Sequence, residues 1–247
     1  MIGAPLAGIL AAAGAGGPKG IRYVGGTTGQ TPGTLAPWTI SLTSLTGGIA
    51  SAPAAGDFVV VFYGLASSGE SSALALSVSG YTEQALIFSN DTSEAHLLVA
   101  TKRLTGADTS ISLSETYSGT NAAAAVVHVF RGVDATTPLD VAIQTATFLN
   151  TPRPNPPAVT PVTAGAWVVA GGAGAHDDVV DTFTSSSLSG FLSVGQQDAE
   201  DVTVGAGYVA DASGAVDPGL FGFTGTGSNF NAAAAATLAL RPANPPS

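Results

Sequence analysis

Acid–base or metal chemistry in this chain would fall to three histidines, His96, His128 and His176. Imidazole is the side chain that changes charge near neutral pH and the commonest nitrogen ligand for metals. None of the three has a partner at the spacing of a catalytic motif. His96 and His128 have apolar counterparts, Ala206 and Leu238, 110 residues further on, which reads as packing rather than chemistry. His176-Asp177-Asp178, with Asp181 close by, gathers metal-ligand types, but hard cations want several oxygens from a loop with defined turns, and the spacing of a calcium loop is missing. Asp198, Glu200 and Asp201 form a second acidic group. Paired carboxylates can hydrolyse glycosides, yet neighbours on one exposed turn do not face each other across a substrate, so a glycan depolymerase is the weakest reading. Neither a nucleophile elbow nor a phosphate loop nor a dinucleotide fingerprint occurs, although glycine is plentiful. Without cysteine there is no disulfide framework, thiolate metal site or thiol nucleophile. The residues call for no enzyme, no catalytic residue, no cofactor and no metal.

Recognition needs less. A β-sheet protein can hold a sugar with an exposed aromatic and a few polar groups beside it. Tyr117 and Phe230 sit in related segments ahead of two Ala-rich runs, and Tyr81 and Phe191 each follow a Ser-Gly pair. These four could line a glycan or a subunit interface, or they could cap the ends of a core.

The elements that would position them are repeated. Asn121-Ala-Ala-Ala-Ala125 recurs as Asn231-Ala-Ala-Ala-Ala235, and Arg131 recurs as Arg241. The same offset carries Ser79-Gly80 onto Ser189-Gly190 and Val99-Ala100 onto Val209-Ala210, while Val59-Val60 matches Val168-Val169 with one residue deleted. A unit used twice at that length is too long for a solenoid and fits two copies of a β-sheet layer. Trp38 to Leu45 alternates as a half-buried strand does, and Phe58 to Tyr63 is a continuous apolar run, as in a strand covered on both faces. Ala122–Ala125 and Ala232–Ala236 are locally helix-prone but lead into β-rich sequence, and we read them as strand. Gly25 to Gly33 reads as a Gly/Thr loop. The expected fold is all-β, a jelly-roll-like β-sandwich built from two pseudo-symmetric copies and preceded by an N-terminal arm. The copies cover about 34–133 and 158–242 within a body of 34–247, joined by a Pro-rich link, 134–157, that runs stiffly over the surface. One sandwich or two tandem sandwiches both fit, and the single sandwich is favoured.

Composition narrows the partners. Only 10% of the 247 residues are charged and the formal net charge is −10, so no basic patch exists for nucleic acid. Residues 1–33 read as an apolar anchoring arm followed by the Gly-rich loop, with Ile2, Leu6, Ile9 and Leu10 as its anchoring side chains. The arm is short for a bilayer and interrupted by Pro5 and glycines, and its first basic residue, Lys19, follows the apolar run, which fits neither membrane insertion nor a cleaved leader. We expect a neighbouring subunit or partner to hold it.

Ile21-Arg-Tyr-Val24 before Gly25, Ala55-Gly-Asp-Phe-Val-Val-Val61, Ser79-Gly-Tyr-Thr-Glu83, Ser89-Asn-Asp-Thr92, Val129-Phe-Arg-Gly-Val-Asp134 with Pro138-Leu-Asp140, and Arg153-Pro-Asn-Pro-Pro157 resemble a group of small β-sandwich proteins. That group is encoded by tailed bacteriophages and prophages, often among tail and virion genes. The resemblance spans about residues 20 to 175 and rests on turns and strand starts. It implies a virion component, as capsid decoration or as part of the tail or adsorption apparatus, and it transfers no catalytic residue. Other virion proteins and further copies of the chain are the expected partners. The alternative is a carbohydrate-binding module for host surface glycans.

Overall fold

The computed structural model describes residues 20–32, 37–106, 108–116, 122–176, 182–198, 200–224 and 230–245, with the backbone alone for Pro32 and Phe230. These form strands and no helix: β1 (Arg22–Pro32), β2 (Trp38–Ser41), β3 (Phe58–Ser67), β4 (Leu76–Val78), β5 (Thr82–Ser89), β6 (Glu94–Arg103), β7 (Ser110–Glu115), β8 (Ala122–Arg131), β9 (Gln144–Leu149), β10 (Ala166–His176), β11 (Phe183–Thr184), β12 (Ser189–Gln196), β13 (Asp201–Ala212), β14 (Gly222–Phe223) and β15 (Phe230–Leu240).

The chain is an all-β sandwich in four layers. A main sheet in the order β1-β8-β3-β6-β5 faces a second in the order β12-β13-β10-β15-β9, and outside them lie a three-stranded sheet, β2-β7-β4, and a ribbon, β11-β14. In the first half the chain passes repeatedly between main and outer sheet, apart from the β5–β6 hairpin within the main sheet. Strand β1 lies against β12, β8 against β13, β3 against β10, β6 against β15 and β5 against β9.

Alternation explains why the central strands read as unbroken apolar runs. Along β3, Phe58, Val60 and Phe62 enter the core between the main sheets, while Val59, Val61, Tyr63 and Leu65 enter the core beneath the outer sheet. Each large side chain so buried contributes about 1.5–3 kcal/mol, and both faces gain. The Ala-rich runs are strands, as the sequence indicated. Ala122 and Ala124 face the opposite main sheet, Ala123 and Ala125 face outward, and all four are fully buried.

Strand pairing revises the repeat. Val59↔Val129 in β3/β8 becomes Val168↔Ala239 in β10/β15, in keeping with the sequence offset. The hairpin β5–β6 differs, because Ala85↔Val99 corresponds to Leu192↔Ala206, a step of 107, with a bulge at the same place in both hairpins. The counterpart of His96 is therefore Thr203 and not Ala206, since His96 pairs with Leu65 and Thr203 with Gly174. The reason is length: 27 positions separate Ser67 from its partner Glu94, against 25 between His176 and Asp201.

Two segments depart from the sequence reading. Gly25 to Gly33, expected as a loop, lies up to Pro32 in the edge strand β1, where Gly26 and Gly29 leave no room for a side chain against Tyr23 and Ile40. The link 134–157 holds β9, paired with β15, and then a strap in which Pro152, Pro154 and Pro156 are buried at every second position. The strap covers the outer face of β10. A Cβ at Gly172 would stand 2.4 Å from the Pro154 ring, and one at Gly174 would stand 1.9 Å from the Pro152 carbonyl oxygen. Proline has no N–H to leave unpaired when it lies across a sheet face. The arm residues Ile2, Leu6, Ile9 and Leu10 lie outside the described residues.

Candidate functional site

The side chains with chemistry are committed to internal hydrogen bonds, most of them between neighbouring strands of one sheet. At one end of the first main sheet Ser67, His96 and Glu94 meet, a set that resembles a hydrolytic triad in composition. The hydrogen bonds run the other way. The Leu74 N–H donates to His96 Nδ1 (3.2 Å), which leaves the ring proton on Nε2 to be donated to Ser67 Oγ (2.8 Å). Ser67 donates in turn to Glu94 Oε2 (3.2 Å), and the Glu70 N–H donates to Oε1 (2.9 Å). A serine nucleophile needs a base that takes its proton; here the histidine supplies one. Ser67 and His96 are wholly inaccessible, and burial lowers the His96 pKa to about 4. The equivalent place in the second half holds the same pair with strands exchanged: His176 Nε2 lies 3.1 Å from Thr203 Oγ1, and Asp201 stands in for Glu94.

His128 lies between the main sheets, with Nδ1 3.0 Å from the Tyr23 hydroxyl. Burial lowers its pKa to about 4, against a weaker upward pull from the Ala206 backbone. Glu115 accepts a hydrogen bond from Tyr63, and burial raises its pKa more than that bond lowers it. Of the acidic group Asp198, Glu200 and Asp201, the last is buried rather than on an exposed turn, and its Oδ1 accepts from the Asp198 N–H (2.9 Å). Among the described residues no three His, Asp or Glu side chains converge on a point that could hold a cation. Asp177, Asp178 and Asp181 lie outside those residues.

The aromatics singled out from the sequence fare differently. Tyr81 packs on the core beneath the outer sheet, with Lys102 Nζ 5.4 Å from its ring centroid. Phe191 packs edge-on against Phe221, centroids 5.1 Å apart, on the outer face of the second sheet. Both cap cores. They are not equivalents, because the step of 107 sets Leu188 opposite Tyr81. Tyr117 and the side chain of Phe230 lie outside the described residues.

An aromatic site exists elsewhere, at the corner where β1 lies over the second main sheet. Trp167 and Tyr208 stack there (4.9 Å, 17°), with Tyr23 4.7 Å from Tyr208. They line an open cleft of about 440 Å³ with Arg22, Gly48 and Ile49. Tyr208 is half-buried, Ile49 is 53% exposed, and Trp167 is fixed by a hydrogen bond from Nε1 to Asp211 (3.3 Å). The loop of Thr46 to Ala50 is tied to β1 through bonds from the Ile49 N–H to the Tyr23 carbonyl (3.2 Å) and from the Ala50 N–H to the Val24 carbonyl (3.1 Å). Gly48 is required there, since a Cβ would sit 2.3 Å from the Val24 oxygen.

Charge sets this corner apart. Lys102 pairs with Asp108 (2.5 Å), Arg131 with Asp57 through two bonds of 2.7 Å, and Arg241 with Asp140 (3.2 Å). Arg103 and Arg153 donate to backbone carbonyls. Among the described residues Arg22 is the cation without a hydrogen bond or ion pair, and its cross-strand neighbour is Arg131, which occupies both oxygens of Asp57. The sequence held two faint signals for the cleft: Trp167 is one of two tryptophans, and Arg22-Tyr23 belongs to a chain with few cations.

Comparison with protein-family models, with curated proteins and with solved structures found no match.

Proposed function

We propose that the protein is a non-enzymatic structural component of a tailed bacteriophage particle, capsid decoration or tail and adsorption apparatus, acting through association with other virion proteins and with copies of itself. The observation that carries this reading is strand β9. It forms an edge of the second main sheet, and its sequence Gln-Thr-Ala-Thr-Phe-Leu has no charged residue and no proline. Thr145, Thr147 and Leu149 are exposed, Leu149 at 56%. Proteins that stay apart guard such edges with lysine, proline or a covering loop. The other sheet shows what guarding looks like, because the edge of β1 from Tyr23 to Gly26 is bonded to the Thr46–Ala50 loop. Among the described residues no lysine, proline or loop covers this edge beyond the Ser89 hydroxyl on the Phe148 carbonyl (2.8 Å), which suits symmetric assembly on a sparsely charged body, where a neighbour supplies the cover.

The test is incorporation. Particles produced with Thr147→Lys/Leu149→Lys in place of the wild-type chain are purified, and the protein is quantified by immunoblot alongside circular dichroism of the free variant. The proposal expects a folded variant whose copy number in particles falls by roughly tenfold or more, since a charge set against an uncharged contact costs several kcal/mol. A folded variant incorporated at wild-type level refutes it.

A further inference from the structure

We propose that the cleft formed by Tyr23, Trp167, Tyr208, Ile49 and Arg22 binds a saccharide bearing a carboxylate, the sugar ring lying against Tyr208 and the carboxylate pairing with the Arg22 guanidinium.

Each part of this rests on a separate feature. Sugar rings present C–H faces that settle on aromatic surfaces, and Tyr208, stacked on Trp167 and flanked by Tyr23, is an aromatic surface whose own position is fixed from behind. Trp167, Tyr23 and Phe130 all pack on Tyr208, so the part of it that stays exposed in the cleft is already in place and costs little ordering on binding. The volume of about 440 Å³ falls within the span of roughly 300–1,000 Å³ usual for small-molecule sites. Among the described residues Arg22 has no hydrogen-bond or ion-pair partner, so an arriving carboxylate gains a bidentate pair without displacing one of them. In a chain of net charge −10 a cation lining the cleft selects an anionic ligand locally.

The backbone argues against an extended peptide in the same place. Strand addition needs free N–H and C=O groups along an edge, and the groups of Tyr23, Val24 and Gly26 on this edge are already bonded to the Thr46–Ala50 loop. What remains for a ligand is side-chain surface, which is what a sugar uses. The proposal stands apart from assembly through β9, which lies at the far edge of the second sheet.

The full chain is titrated calorimetrically with a tetrasaccharide of alternating glucuronic acid and N-acetylglucosamine, with chitotetraose as the uncharged counterpart, and with hexaglutamate. The expected result is binding of the acidic tetrasaccharide at least about tenfold tighter than chitotetraose, loss of that preference in Arg22→Gln, and weakening of both sugars in Tyr208→Leu, with thermal melts verifying each fold. No binding of the acidic tetrasaccharide, or an undiminished preference in Arg22→Gln, overturns the proposal. Hexaglutamate binding as tightly as the sugar also overturns it, by reducing the site to charge alone. Self-association in sedimentation that Ile49→Glu abolishes and the tetrasaccharide leaves untouched would give the cleft to a second copy and overturn it equally.

Discussion

Two histidines held neutral inside the protein make its stability depend on pH. His96 and His128 titrate near pH 4 in the folded chain against about 6.5 when unfolded, in both cases through burial. Between those values the unfolded state binds the extra protons, so stability is complete above about pH 6.5 and is lost as pH falls toward 4, by about 1 kcal/mol per pH unit for each histidine. Glu115 acts in the opposite sense, because its raised pKa leaves the folded state holding a proton that the unfolded state has released. Two histidines outweigh one carboxyl, and urea unfolding should give a lower free energy at pH 5 than at pH 7. His128→Leu, which copies the counterpart Leu238, should flatten the slope by about 1 kcal/mol per pH unit; an unchanged slope would show that His128 is already charged in the fold. The apolar reading of His128 was available from the sequence, because β8 and β15 keep the offset of 110. The hydroxyl–imidazole pairs were not, because the shortened second hairpin moved the true partner of His96 by three positions.

At the scale of elements, glycine was the ambiguous residue. Gly25 to Gly33 reads as a loop because glycine usually punctuates strands, and the strand appears only when its pairing along β8 and the close approach of Tyr23 and Ile40 to Gly26 and Gly29 are known. In β10, Gly172 and Gly174 reflect a different need, contact with a proline strap that approaches nearer than any side chain would allow. The strap was legible as stiff and extended, but its burial was not, since nothing local reveals which face a polyproline segment will cover. Gly174→Ala should therefore push Pro152 off β10, at a cost of about 1–3 kcal/mol for overpacking. Thermal denaturation measures the loss, and faster proteolysis within residues 151–157 locates it. A variant as stable and as resistant as the wild type would mean that the strap is not seated on the sheet. The Ala-rich strands and the doubly covered β3 were readable because their patterns depend on the chain's own neighbours.

For the whole molecule, the cleft was beyond sequence reasoning because it joins residues from β1, a loop and two strands of the other half, and the facing of the sheets alone brings them together. The same facing creates an opposite corner. Following the paired strands, Phe58 stands where Trp167 does, Thr101 where Tyr208 does, and Pro138 and Leu139 where Arg22 and Tyr23 do. That corner is filled: the Arg103 guanidinium lies 5.4 Å from the Phe58 ring centroid and is tethered to the carbonyls of Gly56, Val133 and Asp134. The chain should therefore take up saccharide at a stoichiometry of one, which the calorimetric endpoint reads directly, and two equivalents would contradict it. Valency would then be set outside the polypeptide, by how many chains a particle displays and how far apart it holds them, so that weak individual contacts add up over a surface while a lone molecule lets go.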